Sequence, residues 1–237
     1  MKIRGKRVLV TGGAMRVGRE IVTAFAREGA RVIIHCNNSH HEAIKLLEEI
    51  GGTSQGHSIQ QCDLSNMTQL ESMIDSISPI DILINNASTF EMKSLGSETY
   101  KEARTQFDVN YWAPLELMRM FHDQDLGEGV IINILDQRID KVDPHGGSYP
   151  ITKHALRDAT KQAALQWAPR IRVNAVAPGP VLPPSWLPES KMEKTLKEVP
   201  LNRKVDMHDL IEAIKFLVRN ESITGDTIFV DCGQHLT

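Results

Sequence analysis

Short apolar runs alternate along the chain with longer stretches in which apolar residues recur every three or four positions. The short runs are rich in β-branched residues and lack polar alternation, so they predict strands that are buried on both faces. We expect strands at 7–12, 30–36, 57–63, 80–87, 130–135, 171–178 and 227–232.

The longer stretches predict amphipathic helices between these strands. We expect helices at 15–28, 41–50, 65–77, 149–167 and 206–219, with two more within 97–123. Ser65 is expected to cap the third helix, because its hydroxyl can accept a hydrogen bond from a free N–H of the first turn. The alternation of buried strands and helices predicts the α/β class, with one doubly wound domain over residues 1–237 and a central parallel sheet of about seven strands.

The stretch 178–205 follows neither pattern and contains six prolines, at positions 178, 180, 183, 184, 188 and 200. A loop of this length inside a compact domain is usually a lid or a binding loop, so we expect it to cover the substrate. Two interpretations of Trp186, within this loop, stay open: it covers the substrate, or it packs the loop itself.

Composition narrows the possible partners. The net charge of −3 provides no basic surface for nucleic acid. The apolar start of the chain is too short for a membrane span or a secretion signal, which leads us to expect a cytoplasmic protein without membrane contact. The three cysteines are scattered, as is typical of buried thiols, and neither they nor the nine histidines show metal-ligand spacing, so no metal is expected.

The segment TGGAMRVG, residues 11–18, follows the first strand and opens the first helix. Gly12 and Gly13 permit a tight turn, and Gly18 lets the helix pack close to the sheet. The free N–H groups at the start of that helix would then face a pyrophosphate. A purely structural turn is the alternative, but the strand–turn–helix context favours a dinucleotide site.

The end of the second strand indicates which dinucleotide is bound. An acidic residue there would hold the ribose hydroxyls of NAD and repel a 2′-phosphate. Residues 35–41, HCNNSHH, contain no acid, and the first acid is Glu42. The side chains of Asn38, Ser39, His40 and His41 could instead serve a phosphate, which favours NADP (as NADPH) over NAD.

Tyr149 and Lys153 stand four residues apart, one turn of the predicted helix, so both side chains can face one site. An ammonium beside a phenol is expected to lower the tyrosine pKa toward working pH, as a general acid needs. Pro150 is tolerated if the helix begins here, because N–H groups of the first turn need no partner. The carboxyl of Asp136 has two possible roles: it passes a proton to the tyrosine, or it binds the amino and N–H edges of a heterocycle.

Taken together, these motifs resemble the short-chain dehydrogenase/reductase family over essentially the whole chain. The matching motifs are TGGAMRVG, CDL at 62–64, NNAS at 85–88, Asn110 in FDVN, the Tyr149/Lys153 pair, PG at 178–179 and FVDCG at 229–233. The resemblance implies a single Rossmann domain, with the substrate over the carboxyl ends of its strands. It also implies a homotetramer, paired through the helices at 97–123 and 149–167 and through the last strand.

Two departures are similar to the pteridine reductase branch of that family. Arg16 stands where most members have glycine, and Asp136 stands where most have the catalytic serine. The Ser88 and Phe90 of NNASTF match the same branch, whose phenylalanine sandwiches a pterin against the nicotinamide. Asn38 departs from it, because those reductases place an arginine near the 2′-phosphate.

The sequence motifs and the resemblance together predict three groups of site residues. The catalytic group is Asn110, Asp136, Tyr149 and Lys153. The cofactor group is Gly12, Arg16, Val17, Gly18, His35, Asn38, Ser39, Asp63, Leu64, Asn86, Ala87, Ser88, Tyr149, Lys153, Pro178 and Gly179. The substrate group is Arg16, Ser88, Phe90, Asp136, Tyr149 and Pro180.

These residues lead to one principal hypothesis and two alternatives. The principal hypothesis is an NADPH-dependent reductase that transfers hydride to a C=N bond of a pterin or dihydropterin. The first alternative is a carbonyl reductase of 3-oxoacyl or small keto substrates, in which Ser88 partly replaces the usual serine. The second alternative is a catalytically silent nucleotide-sensing protein, which the set Asn110, Tyr149 and Lys153 argues against.

Overall fold

Seven parallel strands form one sheet in the computed structural model, which describes residues 1–77, 79–91, 93–124, 127–182, 196 and 199–237. The strands are β1 (Arg7–Val10), β2 (Arg31–Cys36), β3 (Ser58–Gln61), β4 (Ile82–Asn85), β5 (Gly129–Ile134), β6 (Ile171–Pro178) and β7 (Thr227–Val230). Their order in the sheet is β3-β2-β1-β4-β5-β6-β7. The order reverses between β1 and β4, which opens a crevice at the carboxyl ends of these strands.

Helices cover both faces of this sheet. They are α1 (Arg16–Arg27), α2 (His40–Glu49), α3 (Met67–Ser76), α4 (Tyr100–Phe107), α5 (Ala113–Asp123), α6 (Ser148–Trp167) and α7 (Met207–Arg219). One core lies between the sheet and α1, α2 and α7, and a second lies between the sheet and α3, α5 and α6. Within β1, Val8 and Val10 point to the first core and Leu9 to the second. Because both faces are buried, the strands show no polar alternation.

The predicted fold class is confirmed, and the predicted helices and strands have boundaries within three residues of those observed. The prediction that Ser65 caps the third helix is wrong. The cap is Asn66, whose side chain accepts a hydrogen bond from the backbone N–H of Gln69 at 3.2 Å. Ser65 instead donates its hydroxyl to Asp63 Oδ1 at 2.8 Å, which commits it to the preceding turn.

A π-helical turn, Asp108–Trp112, joins the two helices predicted within 97–123. It accommodates one extra residue in the helical turn that contains Asn110, whose side chain is fully buried. Such turns inside α-helices are frequent at functional sites. Helices α4 and α5 form one continuous helix with a π-helical turn at Asn110.

The predicted substrate-covering loop 178–205 lies largely outside the described residues, and so does Trp186. The two described ends of this loop meet, because the backbone N–H of Val205 donates to the carbonyl of Pro180 at 3.0 Å. In the parts of the chain that the structure covers, no helix has both the length and the apolar character of a membrane span.

Candidate active site

A cavity of about 900 Å³ opens at the carboxyl ends of β1, β2, β4 and β5. It gathers most of the predicted site residues, including Gly12, Arg16, Asp136, Tyr149 and Lys153. Of the predicted residues, all of which lie within the described ranges, only Asn110 and Pro180 are not part of its lining. The sequence motifs therefore predict the position of the cavity correctly. The glycine turn lies at one end of it, and Asp136 and Tyr149 lie at the other.

The glycine turn forms the floor of one end. Gly12 has a φ of +60°, and a Cβ atom added there would lie 3.1 Å from the Cα of Ala87. A Cβ atom on Gly18 would lie 2.0 Å from the carbonyl oxygen of Gly12 and 2.8 Å from Asn86 Nδ2. Both positions therefore require glycine, and the turn leaves the start of α1 open for close approach of a pyrophosphate.

The residues that follow β4 hold this turn in place. Asn86, after β4, donates from its side chain to the carbonyl oxygen of Thr11 at 2.9 Å. The Thr11 hydroxyl in return accepts the backbone N–H groups of Asn86 and Ala87 at 2.9 and 3.0 Å. This reciprocal pairing fixes the distance between the glycine turn and the residues that follow β4.

His35 supports the same turn from β2. Its Nδ1 accepts the N–H of Gly12 at 3.0 Å, and its Nε2 lies 3.1 Å from the carbonyl oxygen of Cys62. Burial lowers the pKa of His35 to about 4, although the Cys62 carbonyl acts in the opposite direction. The ring is therefore neutral and both nitrogens are engaged, a geometry that fits a support of the turn better than a direct cofactor contact.

Arg16 is the first residue of α1 and has a φ of +53°, in the left-handed region that favours glycine. Holding a long side chain there costs about 1 kcal/mol or more. Its guanidinium donates to the carbonyl oxygen of Leu182 at 3.3 Å, at the start of the predicted loop. The backbone geometry explains why glycine suits this position, and the arginine links the glycine turn to the loop side of the cavity.

The start of α2 borders the cavity beside the glycine turn. Asn38 is exposed there, and Ser39 is the N-cap residue, whose side chain accepts no capping hydrogen bond. A helix N-terminus with neutral polar side chains suits an anion such as a 2′-phosphate. Across the cavity, Asp63 accepts the N–H and hydroxyl of Ser65, and Leu64 is buried beside it.

Asn110 supports the segment that follows β4. Its Oδ1 accepts the Ser88 hydroxyl at 3.1 Å and the Thr89 N–H at 2.8 Å, while its Nδ2 donates to the Thr89 carbonyl at 2.8 Å. These bonds turn its side chain toward the segment and away from the cavity wall. Its position therefore fixes Ser88 and the adjoining Phe90 in place.

At the other end of the cavity, the Tyr149 hydroxyl donates to Asp136 Oδ2 at 3.0 Å. Asp136 follows β5 and caps a short 3₁₀ turn, Gln137–Asp140, through a hydrogen bond from the backbone N–H of Arg138 to its Oδ1 at 2.9 Å. Tyr149 lies in the first turn of α6 and is buried. The carboxyl and the phenol thus form one unit, as the resemblance to pteridine reductases implied.

Arg138 also belongs to this unit, although none of the sequence motifs includes it. Its Nη1 donates to Asp136 Oδ2 at 3.1 Å, and its Nε lies 2.8 Å from Asp143 Oδ2. The guanidinium carbon is 5.4 Å from the centroid of the Phe90 ring. The only available signal was the spacing Asp-x-Arg after β5, which is uninformative until the 3₁₀ turn is known.

The predicted effect of Lys153 on Tyr149 is wrong. Burial and the charge of Asp136 raise the pKa of Tyr149 well above its ordinary value, and the charge of Arg138 opposes this only in part. The Lys153 ammonium does not lie at the phenolic oxygen. It donates to the carbonyl oxygen of Ile134 at 2.9 Å, and Nζ lies 5.8 Å from the Tyr149 ring centroid.

Lys153 is itself perturbed. Its side chain is buried, and burial lowers its pKa to about 8 although the charge of Asp136 acts to raise it. One of its three N–H donors is used by Ile134, which leaves donors for hydroxyl groups of a ligand. This lysine therefore gains or loses its charge within the range of ordinary assay pH.

Phe90 lies against the tyrosine. The two ring centroids are 4.5 Å apart, with an interplanar angle of 55°. Phe90 is half-buried and lines the cavity, which gives this end one apolar wall beside the charged Asp136 and Arg138. A flat heterocycle with polar edges matches such a surface.

A second residue missed from the sequence is Glu98, which lies before α4. Its Oε2 accepts the backbone N–H of Ser148 at 2.9 Å and the Ser148 hydroxyl at 2.5 Å. A carboxylate at the start of α6 satisfies N–H groups that the helix leaves free and favours its dipole. Glu98 thereby fixes the turn of α6 that carries Tyr149.

The far wall of the cavity comes from the end of β6. Pro178 and Gly179 line it, and the Gly179 N–H donates to the carbonyl of Val230 at 3.0 Å. A Cβ atom on Gly179 would lie 2.7 Å from the Cα of Asp231. Pro180 is not among the residues that line the cavity, so the structure does not place its predicted substrate contact there.

Known proteins are similar to this chain over nearly its whole length. The family profile described as Enoyl-(Acyl carrier protein) reductase matches residues 12–235. The chain is 30% identical over 242 aligned residues to L-xylulose reductase of Mus musculus, covering 98% of this chain and 97% of that protein. It is 28% identical over 244 aligned residues to D-erythrulose reductase of Gallus gallus, covering 98% and 97% of the two chains.

Among solved structures, the chain is similar to FolM alternative dihydrofolate reductase 1 from Brucella canis complexed with NADP. The two are 35% identical with a TM-score of 0.91, and the match covers 100% of this chain and 96% of the other. The similarity therefore extends over the sheet, the helices and the cavity together.

Proposed function

The chain belongs to the short-chain dehydrogenase/reductase family, and we propose that it is an NADPH-dependent reductase acting on a C=N bond of a pterin or dihydropterin. The proposal rests on one observation above all. A carboxyl, Asp136, lies 3.0 Å from the Tyr149 hydroxyl, where most of the family has a serine.

The described residues fit a dinucleotide with a 2′-phosphate. The glycine turn would take the pyrophosphate, and the start of α2, with Asn38 and Ser39, would take the 2′-phosphate. No acid within residues 35–41 would repel it. The NADP in the structure of the Brucella canis protein supports this assignment. Bound NADPH would supply the hydride.

Reduction of a C=N bond needs a hydride on carbon and a proton on the adjacent nitrogen. Tyr149 is the donor of that proton, since its raised pKa keeps the phenol protonated at neutral pH. Asp136 orients the hydroxyl by accepting its hydrogen bond, and its carboxyl can also accept the amino and N–H edges of a pterin. Lys153 would hold ribose hydroxyls and contribute a positive charge beneath the tyrosine.

Phe90 and Arg16 complete the substrate side. The Phe90 ring, 4.5 Å from that of Tyr149, offers a flat apolar surface for a pterin. Arg16 lies between the glycine turn and the start of the 178–205 loop, where it can contact phosphate and heterocycle together. The similarity to an alternative dihydrofolate reductase supports this substrate class.

A specific set of observations also favours a second function, reduction of a small keto substrate. Ser88 lines the cavity, and its hydroxyl interacts with Tyr149 in the direction that lowers the tyrosine pKa. This hydroxyl donates to Asn110 Oδ1 at 3.1 Å in the structure, and it could steady a carbonyl oxygen by turning toward the substrate. The similarity to L-xylulose and D-erythrulose reductases supports this reading.

One assay separates the two functions. The purified protein is supplied with NADPH and with dihydrobiopterin, dihydrofolate or an acetoacetyl thioester in parallel, and NADPH oxidation is followed. We expect the highest kcat/KM with a pterin, and a preference for the thioester would reject the proposal. Titration by nicotinamide fluorescence should show tighter binding of NADPH than of NADH.

The homotetramer and the cytoplasmic location stay predictions. Large apolar side chains are exposed on the helices that are expected to pair, among them Tyr100, Trp112, Ile151 and Leu165. Sedimentation at micromolar concentration should therefore give a mass above that of the monomer.

A further inference from the structure

We propose that Arg138 is a positioning residue: its guanidinium holds the Asp136 carboxylate against the Tyr149 hydroxyl and holds the Phe90 ring over the same site. This inference rests on the proposed function only in assuming that Tyr149 is the proton donor. It adds to the site a residue that neither the glycine motif nor the Tyr149/Lys153 pair contains.

The geometry gives Arg138 three simultaneous contacts. Its Nη1 reaches Asp136 Oδ2 at 3.1 Å, its Nε pairs with Asp143 Oδ2 at 2.8 Å, and its planar group lies 5.4 Å from the Phe90 centroid. A guanidinium can make all three contacts because it is planar and carries donors in a fixed fork. A lysine ammonium, a single point charge, cannot reproduce them together.

The contacts close a ring of four side chains. Arg138 contacts Asp136, Asp136 accepts the Tyr149 hydroxyl, Tyr149 packs on Phe90, and Phe90 lies under Arg138. Oδ2 of Asp136 is shared between the guanidinium and the phenol, while Oδ1 is held by the backbone N–H of Arg138. The carboxylate therefore has one orientation, and that orientation directs the tyrosine hydroxyl.

The charge of Arg138 also supports its role as a positioning residue. When Tyr149 gives up its proton, a phenolate forms beside the Asp136 carboxylate, and two like charges at that distance repel each other. Arg138 donates a hydrogen bond to Asp136, and its charge lowers the Tyr149 pKa, against burial and Asp136. Burial opposes the charge on Arg138, but Asp136, Tyr149 and Asp143 more than compensate, so its own pKa is raised. The guanidinium thus stays charged while the proton moves.

Asp143 fixes Arg138 from the opposite side. Its Oδ1 accepts the backbone N–H of His145 at 2.9 Å, which leaves Oδ2 for the guanidinium. Because Asp143 contacts Arg138 and not the tyrosine, its removal weakens the arrangement without touching the reacting groups. This provides a second, milder variant.

The chain also provides a matched control. Arg157 of α6 donates to the carbonyl oxygen of Ile139 at 2.8 Å, so it supports the same 3₁₀ turn as Arg138. The side chains of the two arginines are similarly exposed, 26% for Arg138 and 27% for Arg157. Arg157 has neither Asp136 nor Phe90 as a partner in the contacts that the described residues make. A purely structural need for a guanidinium at this turn would affect both positions alike.

The test is a double-mutant cycle on kcat. Arg138→Met, Asp136→Asn and the double variant are compared in the full-length protein, using whichever substrate the wild type reduces. We expect Arg138→Met alone to lower kcat by about tenfold to a hundredfold, in line with loss of a hydrogen bond to a charged group. In the Asp136→Asn background the same change should have a clearly smaller effect, because only the charge effect of Arg138 on Tyr149 and its contact with Phe90 are then left to lose.

Further variants keep the outcome decisive. Arg138→Lys should recover part of kcat, Asp143→Asn should show a smaller loss of the same kind, and Arg157→Met should leave kcat near the wild-type value. NADPH affinity, measured by nicotinamide fluorescence, should be unchanged in all of them, which also establishes that they fold. Equal losses from Arg138→Met in both backgrounds, or equal losses from the two arginine variants, would overturn the proposal.

These results can be separated from those that test the substrate. If the wild type reduces the acetoacetyl thioester and no pterin, the proposed function fails, yet the cycle is run on the thioester because Tyr149 donates the proton in either reaction. If pterins are reduced but the cycle is additive, the proposed function stands and the role of Arg138 is refuted. Should Asp136→Asn leave no measurable turnover, the comparison of Arg138→Met with Arg157→Met decides.

Discussion

The two ends of the cavity are built from different materials. At one end the glycine turn is held in place by backbone and neutral groups: Gly12, Thr11, Asn86 and a histidine, His35, that burial keeps uncharged. The end formed by Asp136 and Tyr149 is a set of charges that compensate one another. The first end offers shape and backbone dipoles to a cofactor, while the second end carries the charges that can compensate those formed when a proton is transferred.

The difference implies that damage at one end should leave the other intact. The glycine turn is held by hydrogen bonds to β2 and β4, whereas the charged end depends on the 3₁₀ turn after β5 and on the start of α6. Binding of NADPH and transfer of the proton should therefore be separable by mutation.

The strongest expected effect comes from removing the carboxyl itself. Asp136→Ala should reduce turnover of pterin substrates by about 10²–10⁴-fold, the usual contribution of a group in acid–base chemistry. NADPH affinity should change little, because Asp136 lies at the opposite end of the cavity from the glycine turn. Steady-state kinetics and nicotinamide fluorescence measure the two quantities.

Asp136→Ser provides the control for that substitution. It restores the hydroxyl that most of the family carries, so it should not rescue pterin reduction but should raise turnover of small ketones relative to Asp136→Ala. Full pterin turnover in both variants would show that the charged end has no part in the chemistry.

The second prediction tests whether His35, beside the glycine turn, stays uncharged in the folded protein, and it uses the pH dependence of stability. The pKa of His35 is lowered from 6.5 to about 4 in the folded protein. The unfolded chain therefore takes up a proton that the folded chain excludes, and stability falls as pH decreases from 6.5 toward 4. A difference of this size corresponds to about 3 kcal/mol. Chemical denaturation across this pH range measures the slope.

His35→Asn is the matched variant, because its amide can still accept the Gly12 N–H but does not titrate. Its stability should depend less steeply on pH between 4 and 6.5 than that of the wild type. The pKa of His57 is lowered in the same direction and contributes equally to both proteins. Identical slopes would mean that His35 is not excluded from protonation in the folded state.

Much of the neutral end could be predicted from sequence because its determinants are local. Gly12 lies in the glycine turn and Gly18 in the first turn of α1, and their need for glycine follows from how closely the backbone packs there. The role of His35 could not be predicted, since it depends on β2 lying beside β1 and bringing its ring to Gly12. The same is true of Asn110, whose contacts depend on a π-helical turn that no pattern indicates.

Asp136, Tyr149 and Lys153 of the charged end were predicted, but Arg138 and the balance of charges were not. The spacing of Tyr149 and Lys153 follows from helix geometry, so both were placed correctly in one site. The direction in which the Tyr149 pKa is shifted depends on burial, on Asp136 and on Arg138. The downward shift predicted from Lys153 alone was wrong. That balance requires knowing that the Lys153 ammonium is drawn to the Ile134 carbonyl and that Arg138 folds back onto Asp136.

The third prediction concerns the close packing of the glycine turn. Gly18→Ala places a methyl group 2.0 Å from the Gly12 carbonyl oxygen, so the turn must shift. Such overpacking typically costs about 1–3 kcal/mol. Because the turn would hold the pyrophosphate, we expect NADPH affinity to fall about tenfold to a hundredfold.

Gly96→Ala is the matched control, since nothing lies within 4 Å of a Cβ atom built at Gly96. It should leave NADPH affinity unchanged. Nicotinamide fluorescence titration distinguishes the two variants, and a loss of the same size in both would remove the argument from close packing.

The last and smallest expected effect lies in the pH profile of kcat, and it depends on the charge of Lys153. Burial lowers the pKa of this lysine to about 8, and the Asp136 charge keeps it from falling further. The ammonium is present below that pH and is lost as pH rises through it. If its charge supports proton transfer from Tyr149, kcat should decrease about tenfold per pH unit above pH 8.

Asp136→Asn removes the charge that raises the Lys153 pKa, so the alkaline limb of its residual kcat should move to lower pH. Asp143→Asn removes a carboxylate from the same charged end, but Asp143 is not among the groups that act on Lys153. That variant should lower the height of the profile and leave the limb in place. A limb that stays fixed in Asp136→Asn would separate Lys153 from the charged end, and its position would then reflect burial alone.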